Sequence, residues 1–267
     1  MKAQSDNKDL VREQFTKTAE VFGQFAVATR GIEAGKLAEM AHAGKSDRAI
    51  DVACGPGSLA LRFALQTRWT CGVDLTPAIL RRAKDSAAND RLSNLDFTVG
   101  DAHRLPFADN SVDIAVTSYA LHHMPDAAAV IAEMARVVRR GGRVGIADIF
   151  VGDDPVGAEL TNRIERIRDA SHTRTLRRTE FAEIFRASGL RVIATQIQEN
   201  ARQFDHWLHV AGWHPGDKPY EESRRWIEST LENDAAGFHP RHEPAQPGAE
   251  PELMITNTTL LIAGEKA

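Results

Sequence analysis

The stretch Ala49-Ile50-Asp51-Val52-Ala53-Cys54-Gly55-Pro56-Gly57-Ser58-Leu59-Ala60 decides the fold of this chain. Its first five residues are apolar apart from one acid, which is typical of a parallel strand that is buried on both faces. Gly55 and Gly57 follow, and glycines at such a turn let the backbone approach a ligand closely. Helix-forming residues begin at Ser58. The stretch therefore predicts a strand, a glycine turn and a helix that bind a nucleotide-type cofactor.

The spacing Gly55-x-Gly57-x-x-Ala60 fits two kinds of cofactor site. With Asp74 downstream it matches the dinucleotide fingerprint, in which an acid binds a ribose. Asp51 favours another cofactor, because an acid ahead of the turn repels a pyrophosphate and stabilises a cationic amino-acid group. S-adenosylmethionine carries an ammonium and a sulfonium and no phosphate. We therefore expect S-adenosylmethionine as the cofactor, and an NAD(P)-dependent oxidoreductase is the alternative.

Strands and helices alternate regularly after the glycine turn. The sequence predicts strands over 48–53, 69–74, 95–99, 112–117 and 143–150, and a helix over 125–139 that stops at Gly141-Gly142. This order gives a parallel sheet with right-handed crossovers, and ligands bind beyond the carboxyl ends of its strands. Asp51, Asp74, Asp101 and Ser118 are expected to converge at that edge.

Two further helical regions flank these strands. Residues 8–41 have apolar residues at helical spacing with a break at Gly31, which predicts an N-terminal helical cap over residues 1–44 ahead of a main domain over 45–267. Helices are also expected over 155–170 and 179–188. The loop between them carries His172 and Arg174.

Composition narrows the function class. A chain of 267 residues with 42% hydrophobic residues can bury a full core, and two cysteines do not indicate a disulfide scaffold or a metal site. A net charge of −4 does not favour nucleic acid, and the six arginines between Arg163 and Arg178 are better explained as a solvated helical face. The first ten residues are polar, and no segment reaches the roughly 18 apolar residues of a membrane span. We expect a cytoplasmic protein without a membrane partner, and association into a homodimer is left open.

The chain also carries five spaced motifs: Asp51-x-x-x-Gly55-x-Gly57, Asp74, Gly100-Asp101-Ala102, Leu105-Pro106-Phe107-x-Asp109-x-Ser111-x-Asp113 and Arg136-Val137-Val138-Arg139-Arg140-Gly141-Gly142. Together they resemble the class I S-adenosylmethionine-dependent methyltransferases of the ubiquinone/menaquinone biosynthesis (type 11) group. The resemblance implies an α/β fold, a Rossmann-like three-layer sandwich around a seven-stranded, mostly parallel sheet. It places strand 6 near 191–198 and an antiparallel last strand near 254–263. Between these strands the chain departs from the quinone methyltransferases by an insertion, which we expect to be helical.

The resemblance also implies roles for the cofactor residues. Gly55 and Gly57 would line the methionine moiety, and Asp51 would lie near its ammonium. Asp74 would accept hydrogen bonds from both ribose hydroxyls, and Asp101 with Ala102 would contact adenine. The expected cofactor set is completed by Ala53, Leu75, Ser118 and Phe22.

Methyl transfer from a sulfonium is an in-line displacement, so the protein must mainly align the acceptor and exclude water, whether an oxygen, carbon or nitrogen is methylated. A neutral imidazole near the methyl group would help with an acidic acceptor. His122, His123 and His172 are the candidate bases. The expected acceptor contacts are Tyr119, Arg174, Trp207 and Trp213.

Residues 200–252 form an insertion that contains three of the four tryptophans. Strand 6 ends at the edge where the cofactor loops lie, so the insertion should emerge above the active site. We expect a lid that selects a small, largely apolar or aromatic acceptor. The alternatives are that its tryptophans pack a dimer interface or the insertion's own core, and that the protein binds S-adenosylmethionine without catalysis.

Overall fold

A computed structural model describes residues 2–18, 31–244 and 250–267 of the chain. Helices and strands alternate as the sequence predicts. In chain order the described elements are α1 (Lys2–Lys17), α2 (Gly31–Met40), β1 (Arg48–Val52), α3 (Ser58–Ala64), β2 (Trp69–Asp74), α4 (Pro77–Asn89), β3 (Leu95–Val99), β4 (Val112–Ser118), a 3₁₀ turn (Leu121–His123), α5 (Ala127–Val137), β5 (Val138–Ile149), α6 (Pro155–Arg168), α7 (Arg178–Ala187), β6 (Leu190–Gln203), α8 (Phe204–Val210), α9 (Lys218–Glu228), β7 (Arg241–Pro244) and β8 (Pro251–Lys266).

The strands form one mixed sheet in the order β3-β2-β1-β4-β5-β8-β6, and β7 pairs with β8 off this path. β1 to β5 pair in parallel, whereas β8 runs antiparallel to both β5 and β6. This confirms the Rossmann-like fold with a parallel sheet and an antiparallel last strand. Ligands on such a sheet bind beyond the carboxyl ends of the parallel strands.

Apolar side chains cover both faces of the sheet, which gives the three layers. On one face, α2 and α3 contribute Leu37 and Phe63 to a buried cluster. On the other face, α5 and α7 contribute residues such as Ile131 and Phe181. α2 shares this buried cluster with the sheet. The boundary at residue 44 between an N-terminal cap and a main domain stays a prediction.

The insertion is helical, as expected, and has a third cluster of its own. Phe204, Trp207, Tyr220 and Phe238 pack there together with Ile164 of α6. The aromatic residues of the insertion therefore mostly fill its own core, which is one of the alternatives that the sequence left open.

The strands differ in extent and number from those predicted, and β6 and β8 are both longer than expected. β5 begins at Val138 instead of 143, because Val138 pairs with Val112 and the glycines lie in an irregular stretch inside the strand, where Gly141 has φ +69°. Residues 241–244 lie within the predicted insertion, ahead of the expected last strand, yet they pair with β8 as β7. The sheet thus has eight strands, because a proline is tolerated on an edge strand.

None of the helices in the described ranges is long and apolar enough to cross a membrane. Cytoplasmic location and association into a homodimer stay predictions.

Candidate functional site

Two neighbouring cavities open at the carboxyl edge of the sheet. The first, of about 800 Å³, lies over the turns that follow β1, β2, β3 and β4, and we call it the cofactor cavity. The second, of about 900 Å³, lies between α1, α6, β6 and α8, and we call it the acceptor cavity. Phe15, Tyr119 and His123 line both cavities.

The turn after β1 is built from left-handed backbone. Gly55 and Gly57 have φ of +53° and +87°, and a Cβ added at Gly57 would lie 3.2 Å from Ala83 and Phe97. Ala53, which lines the cofactor cavity, has φ +54° without being a glycine, and Tyr119 has φ +50°. Non-glycine residues in this conformation are uncommon and cluster at functional sites. This strain marks the two loops on which the cavity is built.

Asp74 ends β2 and anchors the glycine turn. Its Oδ2 accepts a hydrogen bond from the Gly55 backbone N–H at 2.9 Å, and its Oδ1 accepts one from the Thr76 N–H at 2.8 Å. Burial raises the pKa of Asp74, and these hydrogen bonds oppose that rise only in part. Each carboxylate oxygen keeps acceptor capacity on the cavity side, which fits the predicted pair of ribose hydroxyls.

Asp101 follows β3 and lies near the N-terminal helix. Its Oδ2 is 2.5 Å from Lys8 Nζ, and its Oδ1 accepts a hydrogen bond from the His103 N–H at 3.0 Å. Partial burial raises the pKa of Asp101, but the hydrogen bonds from Lys8 and His103 outweigh it and hold the pKa below its ordinary value. Asp101 is therefore a carboxylate at neutral pH.

Most of the predicted cofactor residues line the cofactor cavity. They are Ala53, Gly55, Asp74, Leu75, Asp101, Ala102 and Ser118, joined by Tyr119, which was expected on the acceptor side. Among the described residues that line this wall, Lys8 is the one lysine or arginine, and it is already paired with Asp101. The site therefore suits a cationic amino-acid group better than a pyrophosphate. The residues present therefore fit S-adenosylmethionine. The predicted contact of Phe22 lies outside the described residues.

Two of the predicted cofactor contacts are not on the cavity wall. Asp51 lies in β1, is only 1% exposed and is not among the residues that line the cofactor cavity. Its charge adds to burial in raising the pKa of the Cys54 thiol. Gly57 is the N-cap residue of α3, next to Ala83 and Phe97, and is not among the residues that line the cavity.

The three predicted histidines lie together beside the acceptor cavity. The ring centroids of His122 and His123 are 4.2 Å apart, and His172 stacks on His122 at 5.5 Å. Burial, followed by the neighbouring His122, lowers the pKa of His123 to about 4. His123 is therefore neutral at pH 7, which a proton acceptor requires.

The hydrogen bonds around His123 define its tautomer. Ser171 Oγ is 2.6 Å from Asp169 Oδ1, and a carboxylate can only accept, so the hydroxyl donates there. Ser171 Oγ also lies 3.0 Å from His123 Nδ1. Because the hydroxyl proton is already used, the imidazole N–H must be the donor in this second hydrogen bond. His123 consequently carries its proton on Nδ1. Its Nε2 lone pair has no hydrogen-bond partner among the side chains that the structure describes.

His122 is held in the same tautomer by a different acid. Its Nδ1 is 2.6 Å from Asp148 Oδ1, and both side chains are buried. Asp148 is itself fixed by the Leu121 and Ile149 backbone N–H groups, which donate to its two oxygens. His122 lines the acceptor cavity but not the cofactor cavity.

His172 is not placed as a base. It lines neither cavity, and its Nε2 donates to Asn162 Oδ1, which also accepts from the Thr175 backbone N–H. Burial and the other two histidines lower its pKa far below the usual range. The His172 ring thus packs on His122 outside the lining of both cavities, and its role as a base stays a prediction.

The predicted acceptor contacts divide in two. Trp207 lines the acceptor cavity, with the Arg168 guanidinium 4.9 Å from its ring centroid. Trp213 lines neither cavity, because its indole N–H donates to the Arg168 carbonyl and Lys17 lies over its ring. Arg174 also lies outside, since it forms a bidentate pair with Glu180 on the surface.

The acceptor cavity is more polar than the sequence suggested. Glu33, Asn200 and Asn257 face it from α2, β6 and β8, and Arg168 and Asp169 face it from the end of α6. Glu33 Oε1 accepts hydrogen bonds from the Tyr119 hydroxyl at 2.7 Å and from Asn200 Nδ2 at 3.0 Å. Carboxylates and amides on such a wall favour an acceptor that donates hydrogen bonds.

Sequence reasoning missed the partners of the histidines. Asp148 follows the same rule as Asp74, because it lies near the carboxyl end of a parallel strand, and that signal could have found it. Asp169, Ser171 and Lys8 come from segments whose position depends on tertiary packing. No local pattern marks them.

The comparisons with known proteins agree with this geometry. Residues 50–146 match the family model described as "Methyltransferase domain". The chain is 32% identical over 204 residues to the uncharacterized methyltransferase YcgJ of Bacillus subtilis, a match that covers 76% of this chain and 80% of YcgJ. The crystal structure of YcgJ superposes with a TM-score of 0.77 at 29% identity over 88% of this chain and 98% of that one.

Two other relatives are more distant. The chain is 35% identical to 27-O-demethylrifamycin SV methyltransferase of Amycolatopsis mediterranei over half of this chain and 49% of that protein. It is 29% identical to the ubiquinone/menaquinone biosynthesis C-methyltransferase of Bdellovibrio bacteriovorus over 61% of this chain and 71% of that protein. These matches do not support the oxidoreductase alternative. The chain belongs to the class I S-adenosylmethionine-dependent methyltransferases of the Methyltransf_11 family.

Proposed function

We propose that this enzyme methylates a hydroxyl oxygen of a small polar acceptor, and that His123 takes up the hydroxyl proton. The observation that carries the proposal is the position of His123 on the wall between the two cavities. A base in this place reaches an acceptor oxygen that points toward the cofactor cavity. S-adenosylmethionine, when bound, supplies a methyl group that is activated by its sulfonium.

The chain's own residues then have three tasks. His123 accepts the proton at Nε2. Before the reaction, Ser171 accepts a hydrogen bond from the Nδ1–H group and in turn donates to Asp169, which keeps the ring proton on Nδ1 and leaves Nε2 unprotonated. The polar wall around Glu33 and Asn200 orients the acceptor through its other hydrogen-bond donors. The helices around the cavity exclude water, which would compete with the acceptor.

The names of the relatives support oxygen as the methylated atom and keep carbon as a second candidate. The rifamycin enzyme is named for an O-demethyl substrate, whereas the Bdellovibrio enzyme is named a C-methyltransferase. Carbon also needs proton removal from an enol or carbon acid, so His123 would serve both reactions. Nuclear magnetic resonance of the isolated product distinguishes an O-methyl from a C-methyl group.

The test begins with transfer of radiolabelled methyl groups to a panel of small hydroxylated compounds. With an acceptor in hand, His123→Asn is expected to lower kcat/KM by about 100-fold or more, as removal of a general base does. Binding of S-adenosylhomocysteine should stay within about twofold, because Asp74 is unchanged. His214→Asn, at an exposed histidine away from both cavities, is the matched control. A folded His123→Asn enzyme with normal kcat/KM would contradict the proposal.

The pH profile gives a second measurement on the same residue. The acidic limb of kcat/KM should lie near pH 4, where His123 becomes protonated. An unperturbed histidine would place that limb near pH 6.5. Ser171→Ala removes the partner of Nδ1, so it should lower the rate without abolishing it.

We also infer that residues 200–252 form one wall of the acceptor site. Asn200 and Arg202 of β6 and Trp207, Val210 and Ala211 around α8 line the acceptor cavity, and none of them lines the cofactor cavity. Trp207→Ala should therefore impair acceptor turnover and spare cofactor binding. Trp226→Ala is the control, because that indole contacts Arg163 and lines neither cavity. Equal turnover in both variants would refute the lid.

A further inference from the structure

The helix α1 crosses both cavities without entering the core. Among its described side chains, residues 7–17, none is buried. Lys8 and Val11 line the cofactor cavity, Gln14 lines the acceptor cavity, and Phe15 lines both. An element with few buried apolar contacts opens at low free-energy cost. α1 is therefore a roof that can lift while the sheet stays folded.

The contacts that hold α1 down are mostly polar and lie along its length. Lys8 Nζ is 2.5 Å from Asp101 Oδ2, with side chains 28% and 30% exposed. Asn7 Nδ2 donates to the Ser171 carbonyl at 3.3 Å. The Phe15 ring meets the His123 ring edge-on, with centroids 5.2 Å apart. The ion pair fastens the helix at the cofactor cavity, and the contacts of Asn7 and Phe15 lie beside the histidines. At the other end of the helix, Gln14 donates to the Ala211 carbonyl and Lys17 lies over the Trp213 ring.

We propose that the Lys8–Asp101 ion pair is a latch that keeps α1 closed over the cofactor, and that cofactor entry and release both require it to open. The pair spans the cofactor cavity wall, from the roof to the end of β3. Because α1 also contributes Phe15 and Gln14 to the acceptor cavity, closure completes the acceptor site after the cofactor has bound.

A latch differs from a simple ligand contact in its kinetics. A ligand contact mainly slows dissociation, so its loss raises koff and weakens Kd equally. A latch that gates both directions slows entry and release together, so its loss raises kon and koff while Kd changes little. The two cases are separated by stopped-flow binding of S-adenosylhomocysteine, which needs no acceptor. The result is thus independent of the proposed role of His123.

Lys8→Gln is the informative variant, and Lys8→Arg should restore the ion pair. An ion pair of this exposure contributes up to about 1 kcal/mol, so Lys8→Gln should raise both kon and koff by about fivefold. Wild-type enzyme should show the same acceleration when the salt concentration is raised, since exposed pairs are screened, and Lys8→Gln should not. Arg12→Gln is the matched control on the same helix, because Arg12 pairs only with Asp9 within α1 among the described ion pairs.

Each outcome decides the proposal. Faster kon and koff in Lys8→Gln, with reversal in Lys8→Arg and no change in Arg12→Gln, supports the latch. A raised koff with unchanged kon makes Lys8 a ligand contact and overturns it. Unchanged rates in both directions also overturn it. Loss of α1 structure would be revealed by a similar acceleration in Arg12→Gln, which would attribute the effect to helix stability and overturn the latch.

Discussion

Replacing Asp74 with asparagine keeps the size of the side chain and removes its charge. In the structure the two carboxylate oxygens accept separate backbone hydrogen bonds, from Gly55 at 2.9 Å and from Thr76 at 2.8 Å. An asparagine has one acceptor oxygen, so one of these N–H groups would face an amide NH₂. An unsatisfied buried donor costs about 1–3 kcal/mol, and we expect that loss in the free energy of unfolding.

The same substitution should also weaken binding of the cofactor. Charge-assisted hydrogen bonds to a carboxylate contribute about 1.5–3 kcal/mol, which corresponds to about 10- to 150-fold in Kd. Isothermal titration calorimetry with S-adenosylhomocysteine measures this, and urea denaturation measures the change in stability separately. Asp85→Asn removes the same charge from an exposed position on the following helix and should change neither quantity. A Kd within twofold of wild type in folded Asp74→Asn would show that Asp74 does not bind the cofactor.

Two further predictions concern stability. Because the pKa of His123 is about 4 in the folded protein and about 6.5 when unfolded, the unfolded chain binds an extra proton below pH 6.5, and the folded protein should lose about 2 kcal/mol between pH 7.5 and pH 5. Denaturation at both pH values should show a smaller loss in His123→Asn, and an equal loss would contradict the assigned cause. Gly57→Ala should destabilise the protein by about 1–3 kcal/mol, because its φ is +87° and its Cβ would lie 3.2 Å from Ala83 and Phe97. Gly152→Ala, where a Cβ meets nothing within 4 Å, is the calorimetric control, and equal melting temperatures would refute the strain.

The cofactor half of the molecule could be predicted from sequence because its information is local. A buried strand, the glycine turn and Asp74 at the next strand end follow from periodicity and from the rule that parallel strands present their carboxyl ends at one edge. That rule placed Asp74, Asp101 and Ser118 on one cavity, as the structure has them. Asp51, which lies inside β1, is buried and is not among the residues that line this cavity, so its contact with the cofactor stays a prediction.

The acceptor half depends on contacts between distant segments. Arg174 lies in the expected loop, but it pairs with Glu180 on the surface. His172 is buried, bonds to Asn162 and does not line the cavity. Conversely, nothing near Ser171 in the sequence indicates that its hydroxyl joins His123 to Asp169. Such roles follow from how α6 and the loop after it pack on the 3₁₀ turn, which the pattern of apolar residues does not encode.

The third hydrophobic cluster is separate from the two clusters that cover the faces of the sheet. It joins α8 and α9 to Ile164 and to Leu253 and Ile255 of β8, and it includes no residue of β1 to β5. Groups of residues with their own core tend to open and close as cooperative units. Substitutions that reshape the insertion can therefore be absorbed there without loosening the glycine turn. A change of acceptor preference in this enzyme is thus compatible with an unchanged affinity for its methyl donor.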